Sequence, residues 1–166
     1  MSGWEAYIYQ IQNKYDATTG QYTLTNVCEH AAIYGTDGTA WATTPGFQLY
    51  SYEFEVPTED LLGTKKVPIN EFQCVVEATK GNRKPSEAGI RMANQKYMLI
   101  KHNPECNSAY LGREGGGGAC VARTKSAVII GIWNKAAVMS DKTLQNAGDC
   151  NELVEKMAKY LSDQGY

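Results

Sequence analysis

The chain has 166 residues, of which 43% are hydrophobic and 20% are charged, and its formal net charge is -2 at pH 7. These values are typical of one globular domain and argue against a nucleic-acid partner recruited by overall basicity. The longest apolar run, residues 127–132, is far below the roughly 20 residues of a membrane helix. The N-terminal residues lack the basic and apolar segments of a secretory signal, so we expect a cytoplasmic protein.

The first predicted elements are a helix and a hairpin. Residues 4–12 carry apolar side chains at the spacing of one helix face, with Ser2 or Gly3 as the expected N-cap. Apolar residues 30–34 and 39–42 flank a four-residue segment that ends in Asp-Gly. That pattern is typical of a β-hairpin.

A strand pair and a second helix are predicted next. Residues 47–56 alternate between apolar and polar, which indicates a half-exposed strand, and residues 67–69 form a short return strand. Asn70 is then the expected cap of a helix at residues 71–80. The buried side of that helix is predicted to consist of Phe72, Val75 and Val76.

The last third of the chain predicts a meander followed by a helix. Short apolar runs separated by turn residues indicate antiparallel strands at 89–92, 97–102, 109–111, 119–123 and 127–134. Residues 148–161 then carry a helical apolar stripe, with Asp149 as the expected cap. This order of helices and strands predicts an α+β domain with terminal helices packed on an antiparallel sheet.

The sequence offers no catalytic or metal-binding constellation. The histidines, His30 and His102, each have one cysteine at ligand spacing, whereas a structural zinc site takes four ligands, so we expect no metal and no cofactor. The five scattered cysteines are predicted to be free thiols that fill apolar space. Residues 115–118 are all glycine, but strand-like residues follow them, which favours a hairpin connection over a phosphate-binding loop. Glu152 and Glu155 are predicted to lie on a solvated helix face.

Several motifs together resemble the profilin family. They are Met-Ser-Gly-Trp-Glu-Ala-Tyr at 1–7, Asp-Gly-Thr-Ala-Trp-Ala at 37–42, Asn-Gln-Lys-Tyr-Met-Leu-Ile at 94–100, Cys-Asn-Glu-Leu-Val-Glu at 150–155, and the ending Tyr-Leu-Ser-Asp-Gln-Gly-Tyr at 160–166. The resemblance implies a central antiparallel β-sheet with the N- and C-terminal helices on one face and short helical segments on the other. It also implies a single domain over 1–166 with insertions at 50–69 and 134–147, as in the longer profilins of protists.

The resemblance implies two binding sites. Profilins bind polyproline in an aromatic groove between the terminal helices, and the matching residues here are Trp4, Tyr7, Trp41, Tyr160 and Tyr166. A proline-rich ligand is already extended, so little chain entropy is lost when its rings pack on aromatic side chains. The alternative for Trp4 and Tyr7 is simple packing on the last helix. The family's actin-binding face matches Lys96, Lys101, Arg123, Lys125 and Asn151.

The alternative to an actin-binding role for these cations is that they are ordinary solubilising charges. Glu114 departs from the basic residue that relatives carry nearby, although Arg113 adjoins it. The resemblance also makes phosphoinositide lipids a candidate ligand.

The function implied is that of a monomeric, non-enzymatic, cytoskeleton-associated protein that binds actin monomers and regulates their polymerisation. It would also bind proline-rich proteins. One alternative is a proline-rich-peptide adaptor with weak or lost actin binding. A second alternative, from a different class, is a small enzyme that uses Cys120 beside the glycine run.

Overall fold

The structure is a computed structural model that describes residues 3–166. In that range the chain forms three helices, which are α1 (Glu5–Gln12), α2 (Glu71–Thr79) and α3 (Ala147–Asp163). The strands of the same range are β1 (Tyr15–Asp16), β2 (Gln21–Tyr22), β3 (His30–Gly35), β4 (Ala40–Thr43), β5 (Ser51–Pro57), β6 (Thr64–Asn70), β7 (Ile90–Met92), β8 (Gln95–Asn103), β9 (Ser108–Arg113), β10 (Gly118–Arg123) and β11 (Ala127–Trp133). None of these helices is long and apolar enough to cross a membrane.

The main sheet has the strand order β4-β3-β11-β10-β9-β8-β7, and each neighbouring pair is antiparallel. The predicted β3–β4 hairpin and the predicted meander from β7 to β11 are therefore confirmed. Strand β11 pairs with β3, and this pairing joins the hairpin and the meander into one sheet. Two further hairpins, β1–β2 and β5–β6, pair outside this sheet.

The two faces of the main sheet carry different helices, as the fold class predicts. Successive residues of β11 alternate between the faces: Ile129 lies in the core under α1 and α3, and Ile130 lies in the core under α2. Gly131 allows α3 to approach closely, because a Cβ at that position would lie 2.6 Å from Val154 Cγ2. The terminal helices thus share one face, and α2 covers the other.

One of the three helix N-caps is the residue predicted from the sequence, and the other two are different residues. Asn70 caps α2 as predicted, with its side chain accepting from the backbone N–H of Gln73. The predicted cap of α3 is wrong, because Asn146 takes that role and accepts from the N–H of Asp149 at 2.9 Å. Ser2 lies outside the described residues, and the N-cap position of α1 is occupied by Trp4 rather than Gly3.

The buried side of α2 differs from the prediction. Phe72 and Val76 are only partly buried, whereas the fully buried positions are Glu71, Cys74, Val75, Ala78 and Thr79. The helix is therefore rotated about its axis so that its first residue, a carboxylate, points into the interior. Burial of that charge is tolerated because its oxygens accept several hydrogen bonds.

Glu71 ties the β5–β6 hairpin to the rest of the molecule. Its Oε1 accepts from the N–H of Tyr50 at 2.9 Å, and its Oε2 accepts from the Tyr52 hydroxyl at 2.7 Å and from the N–H of Asn94 at 2.9 Å. The predicted strand pair is confirmed, and its tip is highly exposed, with Leu61 at 78% and Leu62 at 88%. The hairpin is thus an arm that packs on the core through Val56, Val67 and Ile69, and only its tip projects into solvent.

Segment 134–147 is largely exposed but contains two buried residues. Met139 is 5% exposed and Gln145 is 3% exposed. The Gln145 amide bridges two loops, since its Nε2 donates to the carbonyl of Asn26 at 2.8 Å and its Oε1 accepts from the N–H of Asn134 at 2.9 Å. This hydrogen bonding explains why a loop with turn-rich sequence lies against the body.

Candidate functional site

Aromatic rings from both ends of the chain meet on one surface. The ring centroid of Trp4 lies 4.5 Å from Trp41, 5.1 Å from Tyr166 and 5.4 Å from Tyr7. Tyr7 continues the row to Tyr160 at 5.7 Å. We call this set the aromatic shelf, and it brings together all of the residues predicted for the polyproline site: Trp4, Tyr7, Trp41, Tyr160 and Tyr166.

Local structure explains why these rings converge. Trp4 and Tyr7 are three residues apart at the start of α1 and therefore share a face, while Trp41 projects from β4 beside them. Tyr166 reaches the shelf because Gly165 has a φ of 94°, a left-handed conformation that turns the chain back after α3. The turn is secured by the Tyr166 N–H, which donates to the carbonyl of Leu161 at 2.9 Å.

The shelf is apolar but accessible. Tyr160 and Tyr166 are each 42% exposed, and Trp4, Tyr7 and Trp41 are half-buried. A hydrogen bond with Tyr160 raises the pKa of the Tyr7 hydroxyl above its usual value, and partial burial adds to the shift. Trp4 and Tyr7 therefore pack on the last helix and still present ring surface. Flat rings with hydroxyl groups at their edges can stack on pyrrolidine rings and donate hydrogen bonds to carbonyl oxygens.

The residues predicted for the actin site do not form one cluster. Arg123 and Lys125 line a cleft of about 740 Å³ between the end of α2 and the second half of α3. Arg123 is fixed there by its Nε, which donates to Thr79 Oγ1 at 3.1 Å. Lys101 is exposed on β8, and Asn151 is half-buried on α3. Lys96 lines a different depression.

That second depression contains residues that the sequence reasoning missed. It has a volume of about 520 Å³ and lies where Lys96 adjoins Met98 and Ile100. These two apolar side chains are 67% and 66% exposed, because Tyr97 and Leu99 of the same strand point into the core. The alternation of residues along β8 indicates that these two side chains share the face opposite Tyr97 and Leu99, but it does not indicate that this face stays uncovered. We call Lys96, Met98 and Ile100 the β8 patch.

The cysteines are free thiols, as predicted, but one is not buried. Cys28, Cys74, Cys120 and Cys150 lie in the interior, whereas Cys106 is exposed in the turn between β8 and β9. The Cys28 and Cys150 sulfurs are 3.5 Å apart, and the hydrogen bond between them, together with burial, raises the pKa of the Cys28 thiol well above its usual value. Burial likewise raises the pKa of the Cys120 thiol.

The remaining candidate ligands are engaged in structural contacts. His30 Nδ1 is 2.9 Å from Thr44 Oγ1, and His102 Nε2 is 3.0 Å from the carbonyl of Thr79. Across residues 3–166 there is no group of three or more His, Cys, Asp or Glu side chains placed to hold a metal. The glycine run connects β9 to β10, which confirms the predicted hairpin.

Comparisons with known proteins agree on one family. The profilin family model matches residues 2–166. A curated relative, the profilin of Tetrahymena pyriformis, is 31% identical over 169 residues, which cover 100% of both chains.

Solved structures show the same fold. Acanthamoeba castellanii profilin IB superimposes with a TM-score of 0.60 at 23% identity, covering 98% of this chain and 99% of that one. Mouse profilin IIa in complex with a double repeat from the FH1 domain of mDia1 has a TM-score of 0.59 at 18% identity, covering 99% of each chain. LokiProfilin1 in its complex with rabbit actin has a TM-score of 0.53 at 15% identity, covering 82% of this chain and 84% of that one. At such low identities these structural similarities show the fold alone.

Proposed function

This chain belongs to the profilin family, and on that premise we propose that it binds actin monomers, regulates their polymerisation and binds proline-rich segments on the aromatic shelf. Support for the partners comes from the relatives, one of which was solved with a proline-rich FH1 repeat and another with rabbit actin. Like them, the protein would act as a binding module without chemistry of its own.

The observation that carries the proline-binding part is the 5.1 Å contact between the rings of Trp4 and Tyr166. Through this contact Tyr166 is docked on the shelf while 42% of its surface stays accessible. An exposed row of aromatic rings on a rigid base is suited to an extended proline helix. Such a ligand binds with little loss of chain entropy.

For actin, we propose that the β8 patch and the cations Lys101, Arg123 and Lys125 contribute to one extended binding face, with Asn151 at its border. Exposed apolar side chains beside cations are typical of protein interfaces. Actin is acidic, so the cations would speed association and orient the complex more than they would increase affinity.

A titration of polyproline followed by tryptophan fluorescence tests the shelf. In a Trp133→Phe background the signal comes from Trp4 and Trp41. We expect saturable binding that Trp4→Ala weakens by about tenfold or more, as for a central aromatic contact. Tyr9→Ala is the matched control, because Tyr9 is 41% exposed on α1 outside the shelf. Equal losses in the two variants would contradict the proposed site.

Inhibition of pyrene-actin assembly tests the second activity. We expect the wild type to slow assembly, and the double variant Lys96→Glu/Lys125→Glu to do so less, chiefly at low ionic strength. Lys142→Glu, an exposed loop cation, serves as the control. Polyproline binding without any effect of the wild type on assembly would instead favour the adaptor function.

We further propose that residues 50–69 and 134–147 are insertions within a single domain over 1–166. In support, the arm β5–β6 pairs outside the main sheet. Segment 134–147 lies between the last strand and the last helix, so added length there leaves the sheet order undisturbed.

A further inference from the structure

The groove between α1 and α3 does not end at the aromatic shelf. Beyond Tyr160 it opens into a pocket of about 270 Å³. One wall of this pocket comes from α1 through Gln10, and another comes from the β1–β2 hairpin through Tyr22. Lys156 and Met157 of α3 also line it. Because Tyr160 belongs to both the shelf and the pocket, the two surfaces are continuous.

A cation is held at the far end of this pocket. Lys156 Nζ lies 5.5 Å from the ring centroid of Tyr15 and 5.7 Å from that of Tyr22. The two rings contact each other at 5.4 Å in an edge-on arrangement, so the hairpin presents them as a unit. Cation–π attraction of this kind restricts a side chain that would otherwise be mobile.

Lys156 forms no salt bridge within residues 3–166. Of the lysines in residues 3–166, Lys14, Lys65, Lys80 and Lys159 pair with carboxylates, and no carboxylate lies within ion-pair distance of Lys156. Its amino group is a donor with three hydrogens, and the tyrosine rings offer no oxygen acceptor at their faces. The pocket therefore combines an apolar approach with an unpaired, oriented cation.

We propose that this pocket is an additional subsite of the aromatic shelf and that it selects proline-rich segments followed or preceded by an acidic residue. The inference rests on the proposed proline-binding function. Lys156 precedes Tyr160 by one helical turn, about 5–6 Å along the axis. A polyproline helix advances about 3.1 Å per residue, so the carboxylate belongs about two residues beyond the proline that stacks on Tyr160.

Two features favour a proline-rich segment with an acidic residue as the ligand of this pocket: the pocket is continuous with the aromatic shelf, and it contains the cation Lys156. A neutral peptide leaving the shelf would gain only the apolar wall formed by Tyr22 and Met157. A side-chain carboxylate of the same peptide would meet Lys156 at the end of that wall. The β1–β2 hairpin is thus assigned a role in choosing among proline-rich partners, since it holds the cation in place.

Fluorescence anisotropy of labelled peptides tests the proposal on the full-length protein. The peptides are ten prolines with Glu-Glu or Gln-Gln at the C-terminal end, and the same pairs at the N-terminal end. We expect the Glu peptide to bind about threefold more tightly than its Gln counterpart in one of the two orientations, as for an exposed but oriented ion pair. The gain should shrink at high salt.

Variants then assign the gain to this subsite. Lys156→Gln should abolish the preference, so that the Glu and Gln peptides bind with equal affinity. Lys156→Glu should reverse it, so that a peptide with Lys-Lys in place of Glu-Glu binds more tightly than the Glu peptide. Lys159→Gln is the matched control, because Lys159 lies on the same helix but lines the cleft with Arg123. Tyr22→Ala should weaken the preference, and Tyr22→Phe should retain it.

Two results would overturn the inference alone: equal affinity for Glu and Gln peptides in both orientations, or a preference for Glu that survives Lys156→Gln. If none of the peptides bound, the proposed proline-binding function would itself be wrong, and this inference would fall with it.

Discussion

The hydroxyl of Ser108, which is fully buried on β9, donates a 2.6 Å hydrogen bond to Glu155 Oε2 on α3. Asn103 Nδ2 donates to the same oxygen at 2.9 Å, and the Tyr110 hydroxyl donates to Oε1 at 2.8 Å. The prediction of a solvated Glu155 is therefore wrong. One carboxylate joins the C-terminal helix to two strands of the sheet, and this helix carries part of the aromatic shelf.

Replacement of this carboxylate should destabilise the fold. We expect Glu155→Ala to lower the free energy of unfolding by about 1–3 kcal/mol, because the buried Ser108 hydroxyl and its neighbours lose their acceptor. Glu152→Ala, one turn earlier and exposed, should change it by less than about 0.5 kcal/mol. Urea denaturation of both variants measures the difference, and equal stabilities would contradict the structural role.

The same site predicts a pH dependence. Burial, helped by the hydrogen bond to Glu155, raises the pKa of Tyr110 to about 12. The folded state keeps this phenol protonated to a higher pH than the unfolded state does. The stabilisation is therefore complete below the unfolded pKa of about 10, and it is lost as pH rises towards the folded pKa of about 12.

Tyr110→Phe isolates that contribution. The variant should be less stable than the wild type at neutral pH, and the deficit should shrink as pH rises through this window. Paired denaturation curves at several pH values measure it. A deficit that stays constant up to pH 12 would contradict the assigned shift.

Glu71 should control the order of the arm. In Glu71→Gln, an amide nitrogen must face either the Tyr50 N–H or the donors at Oε2, so at least one buried hydrogen bond is lost. We expect a loss of about 1–3 kcal/mol and faster hydrogen exchange in β5. Glu77→Gln is the control, because the half-buried Glu77 of the same helix pairs with Lys80 at 3.7 Å and not with the arm. Unchanged exchange of β5 in Glu71→Gln would refute the anchor.

The approach of α3 to the sheet at Gly131 should tolerate no side chain. The added methyl of Gly131→Ala would lie 2.6 Å from Val154 Cγ2, so helix and sheet must separate, at a cost of about 1–3 kcal/mol. Because α3 carries Tyr160, polyproline affinity should fall as well. Gly63→Ala, which has no atom within 4 Å of the added methyl, should leave both quantities unchanged.

Thiol reactivity distinguishes the binding module from the alternative enzyme that would use Cys120. In the native protein we expect Cys106 to react with a thiol reagent first, since the other cysteines are buried. Partial desolvation, with the neighbouring Glu155 carboxylate, raises the pKa of the exposed Cys106 thiol, so its rate should not exceed that of a free thiol. Cys106→Ser should remove the fast phase. A hyper-reactive Cys120 would instead support the enzyme.

Local patterns in the sequence predict most of the fold. The hairpin at β3–β4, the meander from β7 to β11 and the three helices follow from apolar periodicity and turn residues, which act over a few residues of chain. The placement of Trp4 and Tyr7 on one helix face has the same origin. The family resemblance supplied the expectation that Trp41, Tyr160 and Tyr166 join them.

Only the tertiary structure decided which polar groups are buried and which apolar groups are not. Glu71 and Glu155 appear in the sequence as ordinary helix charges, yet distant strands supply their hydrogen-bond donors. Met98 and Ile100 belong to an apolar run of the sequence, yet no helix of residues 3–166 covers that part of the sheet, and they stay exposed. Such outcomes depend on contacts between residues far apart in the chain, and a local pattern carries no information about them.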